Sequence, residues 1–391
     1  MAHADKVYAL PTLRAAFARV KANRGAPGID HVTVAMFEAR LDAHLAALAQ
    51  ALRDGSYRPQ PIRRHWIPKG PRERRPLGIP TVRDRVVQTA LRLVLEPIFE
   101  ATFAAHSYGF RPQRSPKQAL RRVVLLLRAG YRDVVDADLR AYFDSIPHAP
   151  LRARVHAKVS DRRVLALVDA FLQQPIFEGL AHWTVDQGTP QGAVISPLLA
   201  NLYLDPLDHA VADAGFEMVR YADDFVVLCR TAADAQRALT LVQGWTEVAG
   251  LQLHPEKTRL VDIRQSQGFE FLGYHFRRDE RRPRRKSVRT LKDAVRQKTR
   301  RTHGESLAVI IADVNRTLVG WFQYFKHSHG SFRALDTWIR MRVRHILRQR
   351  RGQRGRARGW DTQRWSSTFF ASQGLFSLTA AHAAYRQSVT R

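Results

Sequence analysis

Apolar positions recur at helical spacing over long stretches of this chain, and short runs of β-branched and aromatic residues lie between them. Residues 11–22 read as a helix that runs into Asn23-Arg24-Gly25-Ala26-Pro27-Gly28, a turn-rich loop ahead of Ile29-Asp30. Over 34–52, Phe37, Leu41, Leu45, Leu48 and Leu52 mark one continuous helix that Asp54-Gly55 stops. A strand over 62–68 leads into Arg72-Glu73-Arg74-Arg75-Pro76-Leu77-Gly78-Ile79-Pro80, where the prolines favour extended chain. A long helix over 84–99 follows. The pattern then predicts a buried strand over 134–139, a hairpin over 218–229, and helices over 161–174, 196–213 and 232–250. The alternation makes the fold class α+β, with helices packed on one face of a sheet.

Composition shifts at about Arg277. Residues 277–301 carry 13 Lys+Arg against 3 Asp+Glu, and then Leu307, Ile310, Ile311, Val314, Leu318, Trp321, Phe322 and Phe325 mark a strongly amphipathic helix. The basic run therefore leads into a folded helical module. Residues 340–358 hold nine Arg and no acid, a stretch expected to lie along a phosphate backbone. Over all 391 residues, 64 Lys+Arg face 35 Asp+Glu, a net charge of +29 that excludes an ordinary acidic metabolic enzyme and calls for a polyanionic partner. Of those cations 54 are Arg, whose planar fork suits bidentate phosphate contacts. The single cysteine, Cys229, excludes an intramolecular disulfide and a Cys-based zinc finger. No run approaches the roughly 20 apolar residues of a membrane span, and no signal peptide is read at the N-terminus, so a cytosolic protein is expected.

Two acidic elements bear on chemistry. Arg220-Tyr221-Ala222-Asp223-Asp224-Phe225 sets adjacent carboxylates in a tight turn between apolar strands, where their repulsion is costly without a cation. Asp136-Ala137-Asp138-Leu139-Arg140-Ala141-Tyr142-Phe143-Asp144 is a second acidic strand end. Side by side, the two would converge on hard oxygen ligands that suit a pair of Mg²⁺ ions, one activating a primer 3′-hydroxyl and one stabilising the leaving pyrophosphate. That is nucleotidyl transfer chemistry. A helix N-cap or a surface carboxylate explains Asp136 and Asp144 about equally well.

The blocks Gly25-Ala26-Pro27-Gly28-Ile29-Asp30, Ile67-Pro68-Lys69, Arg75-Pro76-Leu77-Gly78-Ile79-Pro80, Ser107-Tyr108-Gly109-Phe110-Arg111-Pro112, Phe143-Asp144-Ser145-Ile146 and Gly188-Thr189-Pro190-Gln191-Gly192 come in that order. Ser196-Pro197-Leu198-Leu199-Ala200-Asn201, Tyr221-Ala222-Asp223-Asp224, Glu256-Lys257-Thr258, Phe271-Leu272-Gly273 and Gly320-Trp321-Phe322-Gln323-Tyr324-Phe325 follow. From about residue 20 onward the chain resembles the group II intron reverse transcriptases/maturases.

The resemblance implies a right-hand polymerase fold, with fingers, an antiparallel palm sheet and an N-terminal extension over 1–276, an α-helical thumb/maturase domain over 277–351, and a short basic DNA-binding region over 352–391. Asp138, Asp223 and Asp224 resemble the metal-binding carboxylates of the palm, which implies two Mg²⁺ ions, or Mn²⁺ in their place. Lys69 and Arg75 resemble the finger residues that hold the incoming triphosphate, Phe143 the aromatic under the deoxyribose, and Gln191 the residue beside the dNTP. The loop carrying Asn23, Gly25, Pro27 and Ile29 resembles the lid over the template, and Arg63 and Arg111 are expected on template or other RNA. Trp321, Phe322, Tyr324 and Phe325 read as core rather than as stacking platforms.

The function so implied is an RNA-directed DNA polymerase and maturase that binds group II intron RNA, assists its splicing and copies it into cDNA during retrohoming. Its partners would be intron RNA, an RNA template/DNA primer duplex, target DNA and dNTPs, without a membrane, as a monomer or homodimer in a nucleoid-associated ribonucleoprotein. No His-Asn-His block with cysteine pairs follows the Arg-rich stretch, so second-strand cleavage by this chain is not expected. Two other readings stay open: a maturase-only splicing factor, and a host-repurposed reverse transcriptase in repair or defence.

Overall fold

The computed structural model describes residues 3–68, 74–179, 181–183, 186–265, 267–300, 304–353 and 359–390. It forms two compact units, Met1–Leu260 and Val261–Arg391. In the first, α1 (His3–Tyr8), α2 (Leu10–Ala22), α3 (Val34–Glu38) and α4 (Leu41–Arg53) precede the hairpin β1 (Ile62–Pro68) and β2 (Arg74–Ile79). Next come α5 (Val82–Glu100), α6 (Pro116–Arg128), β3 (Asp133–Asp138), α7 (Tyr142–Ser145), α8 (His148–His156), α9 (Arg162–Leu172), β4 (Ile176–Glu178) and β5 (Ala181–Trp183). The helix α10 (Ser196–Asp213), the hairpin β6 (Glu217–Tyr221) and β7 (Asp224–Cys229), α11 (Ala232–Val248) and β8 (Arg259–Asp262) complete it, the division between units falling inside β8.

Helix starts follow from local chemistry. The hydroxyls of Thr81 and Thr231 accept from the amides of Asp84 and Asp234, and Ser115 with Gln118 forms a capping box ahead of Pro116. The helix predicted over 34–52 is two. Arg40 leaves helical geometry at φ −128°, ψ 39°, which lets Phe37 stack against both Phe17 at 5.6 Å and His44 at 4.5 Å. Tertiary stacking here overrides the spacing of the leucines.

Two four-stranded sheets organise this unit, in orders β2-β1-β4-β5 and β6-β7-β3-β8. In the second, β3 and β6 both pair antiparallel with β7. Val135 and Ala137 of β3 and Phe225 and Val227 of β7 join the main core with Leu199, Leu202 and Tyr203 of α10. The opposite face is also buried, at Val134, Val219, Val226 and Leu228, and α6 packs against β6 and β7, so helices are not confined to one face.

The second unit holds β9 (Phe269–Phe271), β10 (Tyr274–Arg277) and β11 (Glu280–Pro283) as one antiparallel sheet, then α12 (Arg285–Lys298), α13 (Leu307–Phe325), α14 (Arg333–Gln349), α15 (Gly359–Arg364), α16 (Ser367–Ser372) and α17 (Leu378–Thr390). Its sheet is fastened to α13: the Tyr274 hydroxyl donates to Tyr324 O at 2.6 Å, that of Tyr324 to Leu272 O at 2.8 Å, and the Tyr274 and Phe325 rings lie 4.9 Å apart. This is why the unit begins before the charge shift at Arg277. Phe322 and Phe325 are buried and Trp321 and Tyr324 half-buried, all in packed aromatic contacts.

The Arg-rich stretch is partly internal. Arg344 donates Nε to Trp365 O at 2.8 Å, Arg348 pairs with the fully buried Asp361, and Arg342 donates to Thr299 O at 2.8 Å. Those three cations hold the second unit together instead of lying along a phosphate backbone. Residues 354–358 lie outside the described residues. Leu378 packs with Leu291, Phe322 and Ile339, so the end of the chain is continuous with the helical module.

Candidate active site

The register of β3 against β7 sets Asp138 directly opposite Asp224, and strand alternation puts Asp136 on the same face. Between β6 and β7 the turn has only two residues, Ala222 and Asp223, because Tyr221 already pairs with Asp224. Ala222 is left-handed at φ +61°, a conformation costing a residue with a side chain about 1–2 kcal/mol and kept only where surroundings enforce it. The sequence thus brings Asp138, Asp223 and Asp224 to one end of one sheet.

The charges there are asymmetric. Burial, with the charge of Asp138 beside it, raises the carboxyl of Asp223 above the usual carboxylate range. Asp138 accepts from Lys257 Nζ, an ion pair half-open to solvent. Asp136 accepts from Nε and Nη2 of Arg259 at 3.1 and 3.0 Å, which makes it an ion-paired carboxylate at the edge of the site. Among the described residues no group of three or more His, Cys, Asp or Glu is gathered into a metal cage. The donor set still fits a hard divalent cation: it is all oxygen, and Asp223 forms no ion pair among the described residues, while Asp138 is balanced only by a lysine.

A second group of sequence candidates gathers where β2 meets the 188–192 loop. Gly78 N donates to Gln191 O at 2.5 Å, and a Cβ on Gly192, which sits at φ +106°, would fall on Gly78 O. The Gln191 amide donates to Asp144 Oδ2 at 3.2 Å, and burial raises the Asp144 carboxyl. Thr189 N donates to Phe143 O at 2.6 Å, and the Phe143 ring meets Phe110 edge-on at 6.2 Å. Phe143 and Gln191 are therefore brought together, with β2 alongside. Arg75 is exposed on β2 opposite Ile67, and Lys69 lies outside the described residues.

The 23–29 loop seats on the start of α5. Arg85 Nη2 donates to Ala26 O at 2.7 Å, a Cβ on Gly25 would strike that guanidinium, and one on Gly28 would lie 2.6 Å from Thr81 Cα. Asn23 is exposed, and Pro27 and Ile29 are half-buried. Arg63, opposite Ile79, is half-buried with an unpartnered Nε. Arg111, expected on RNA, is instead turned into the fold. Its side chain is 3% exposed, Nε and Nη2 donate to Glu100 at 3.0 and 2.7 Å, and Nη1 donates to Ala104 O and Ser107 O at 2.5 and 2.9 Å. With all three nitrogens used inside the fold, it fastens a loop and is not presented to RNA. Lys257, Arg259, Gly78 and Asn201 were not predicted as site residues. Their only sequence signal was membership of, or closeness to, the short blocks quoted above.

Residues 67–276 match the family described as reverse transcriptase (RNA-dependent DNA polymerase), and residues 288–365 match the group II intron, maturase-specific domain. Protein YkfC of Escherichia coli (strain K12) is 34% identical over 295 residues, covering 66% of this chain and 77% of that protein. Group II intron-encoded protein LtrA of Lactococcus lactis subsp. cremoris is 42% identical over 165 residues, 42% of this chain and 27% of LtrA. Among solved structures, a chain of a partial Cas6-RT-Cas1--Cas2 complex matches 63% of this chain and 43% of its own length at 24% identity, with a TM-score of 0.41. The chain spans about three quarters of YkfC and about a quarter of LtrA.

Proposed function

The chain belongs to the reverse transcriptase (RNA-dependent DNA polymerase) family and carries a group II intron maturase-specific segment, and from that premise we propose that it copies intron RNA into cDNA and assists the splicing of that RNA. The observation that carries the reading is the register that opposes Asp138 to Asp224 with Asp223 in the turn between the strands. A pure RNA binder has no need for a half-buried carboxylate whose ionisation burial disfavours. Asp138, Asp223 and Asp224 would hold two Mg²⁺ ions, which supply activation of a primer 3′-hydroxyl and stabilisation of the leaving pyrophosphate.

The chain's own residues supply position and charge. Arg75, exposed on β2, and Lys69 neutralise the incoming triphosphate. Gln191, on the loop zipped to β2 through Gly78, lies beside the nucleotide, and Phe143 packs under its deoxyribose. The 23–29 loop, held by Arg85, covers the template, and half-buried Arg63 lies along it. Exposed cations on α12 grip RNA or primer duplex, and copying at a target DNA site follows from the same surface.

The test is primer extension on an RNA template annealed to a DNA primer with Mg²⁺ and dNTPs, wild type beside Asp223→Asn, together with a splicing assay on group II intron RNA. Full-length cDNA from the wild type alone supports the polymerase. Tight intron binding and faster splicing without cDNA from either protein would replace it with the maturase-only reading.

A further inference from the structure

Arg220, on β6 two residues before Ala222, is 1% exposed and is the largest fully buried side chain among the described residues. Its Nε and Nη2 donate to the two oxygens of Asp208 on α10 at 2.7 and 2.5 Å. Its Nη1 donates to Asn201 Oδ1 at 3.0 Å and to Ala222 O at 2.9 Å. The backbone is engaged too, with Arg220 N donating to His106 O at 3.0 Å and Tyr108 N donating to Arg220 O at 2.9 Å. Asn201 Nδ2 then donates to Gly109 O at 2.7 Å, and a Cβ on Gly109 would fall on Ala222 N. Three distant stretches of chain therefore meet around Arg220: α10 and the β6–β7 turn on its guanidinium, and the 106–109 loop on its backbone and on Asn201.

Burying an ion pair is weak support for stability by itself, since a well-packed apolar pair of equal volume does as well or better. What an apolar pair cannot do is reach the carbonyl of a strained residue. Only a planar fork can hold a carboxylate on one edge while its remaining nitrogen serves an amide oxygen and a turn carbonyl. The turn carbonyl served is that of Ala222, the left-handed residue immediately before Asp223.

We propose that Arg220, Asp208 and Asn201 form a positioning clamp that holds the Ala222 turn in its left-handed form and so aims Asp223 at the cation it binds with Asp138. The clamp rests on the reading of Asp223 as a metal-holding carboxylate. It also accounts for Asn201 and Gly109, which stand in two of the sequence blocks without a role of their own: the one links Arg220 to the 106–109 loop, and the other lets that loop reach the turn backbone.

The experiment compares wild type, Asp223→Asn, Gly109→Ala, Asn201→Leu and the double variant Arg220→Met with Asp208→Asn, which nearly keeps volume and leaves no buried charge unpaired. Each is measured by thermal melt, by Mn²⁺ titration followed by EPR without nucleic acid, and by steady-state primer extension. The expected result for Gly109→Ala and the double variant is a cooperative melt, Mn²⁺ affinity lowered about tenfold, kcat lowered about 10- to 100-fold, and dNTP KM within about twofold of wild type. Asn201→Leu should fall between. A folded double variant with wild-type Mn²⁺ affinity and kcat would overturn the clamp, and so would activity lost only in proportion to unfolded protein with Mn²⁺ affinity intact. Wild-type extension by Asp223→Asn would instead remove the metal-site reading, and the clamp with it.

Discussion

Arg111→Met separates a loop fastener from an RNA contact. The substitution keeps an apolar chain of similar length but removes every donor, together with the guanidinium that lies over the Phe103 ring at 5.3 Å. Ser107 O then loses its partner, at about 1 kcal/mol or more, while Ala104 O keeps the Ser107 amide at 3.3 Å. Glu100 loses its counter-charge, and breaking a buried ion pair costs about 3–5 kcal/mol, less here because the Glu100 side chain keeps 26% exposure and can turn to water. The net expectation is about 3–4 kcal/mol, which at roughly 2–4 °C per kcal/mol for a unit of this size lowers Tm by about 6–16 °C. The assay is a melt of the full chain alongside RNA binding measured over a range of KCl concentrations. Loss of one phosphate contact on single-stranded RNA would reduce the slope of log K against log salt by about 0.7, whereas a fastener leaves the slope unchanged. Glu100→Gln should reproduce the fall in Tm. An unchanged Tm with a shallower salt slope would refute the assignment and return Arg111 to the RNA.

Three further outcomes follow from the same geometry. Asp223→Asn should abolish synthesis yet raise the Tm of the metal-free protein: its carboxyl is raised in the fold, so its stabilising contribution is full below the unfolded value of about 3.9 and lost as pH rises through the folded one, and at neutral pH the amide removes that loss. A melt at pH 7 that is lower than wild type would contradict this. Gly192→Ala must place a Cβ on Gly78 O from a backbone at φ +106°, so the 188–192 loop should part from β2 and dNTP KM should rise about tenfold, read by primer extension at varied dNTP. Replacing exposed Arg285, Lys286 and Arg289 of α12 together by Ala should flatten the salt slope of RNA binding by about 2 without moving Tm; an unchanged slope would take RNA off this helix.

Much of the fold was legible because amphipathic periodicity is a local property. The helix expected over 161–174 is Arg162–Leu172, that over 196–213 is Ser196–Asp213, and the hairpin over 218–229 is Glu217–Tyr221 with Asp224–Cys229. The short α1, whose Ala4 amide donates to Asp161 of a distant helix start, carried no such signal, because one turn and a half of helix is held by tertiary contact. The break at Arg40 was hidden for a similar reason: leucine spacing is indifferent to an aromatic stack that folds Phe37 of α3 between His44 of α4 and Phe17 of α2.

The two acidic strand ends, the basic surplus and the order of blocks can be read without any fold, since each is written in adjacent residues. They do not tell which of many arginines meet solvent. Arg111, Arg220, Arg344 and Arg348 look like their neighbours in composition, yet each is buried against partners 11, 12, 21 and 13 residues away. That choice is made by packing, because the cost of burying a guanidinium is offset by carboxylates and carbonyls that folding alone brings within reach.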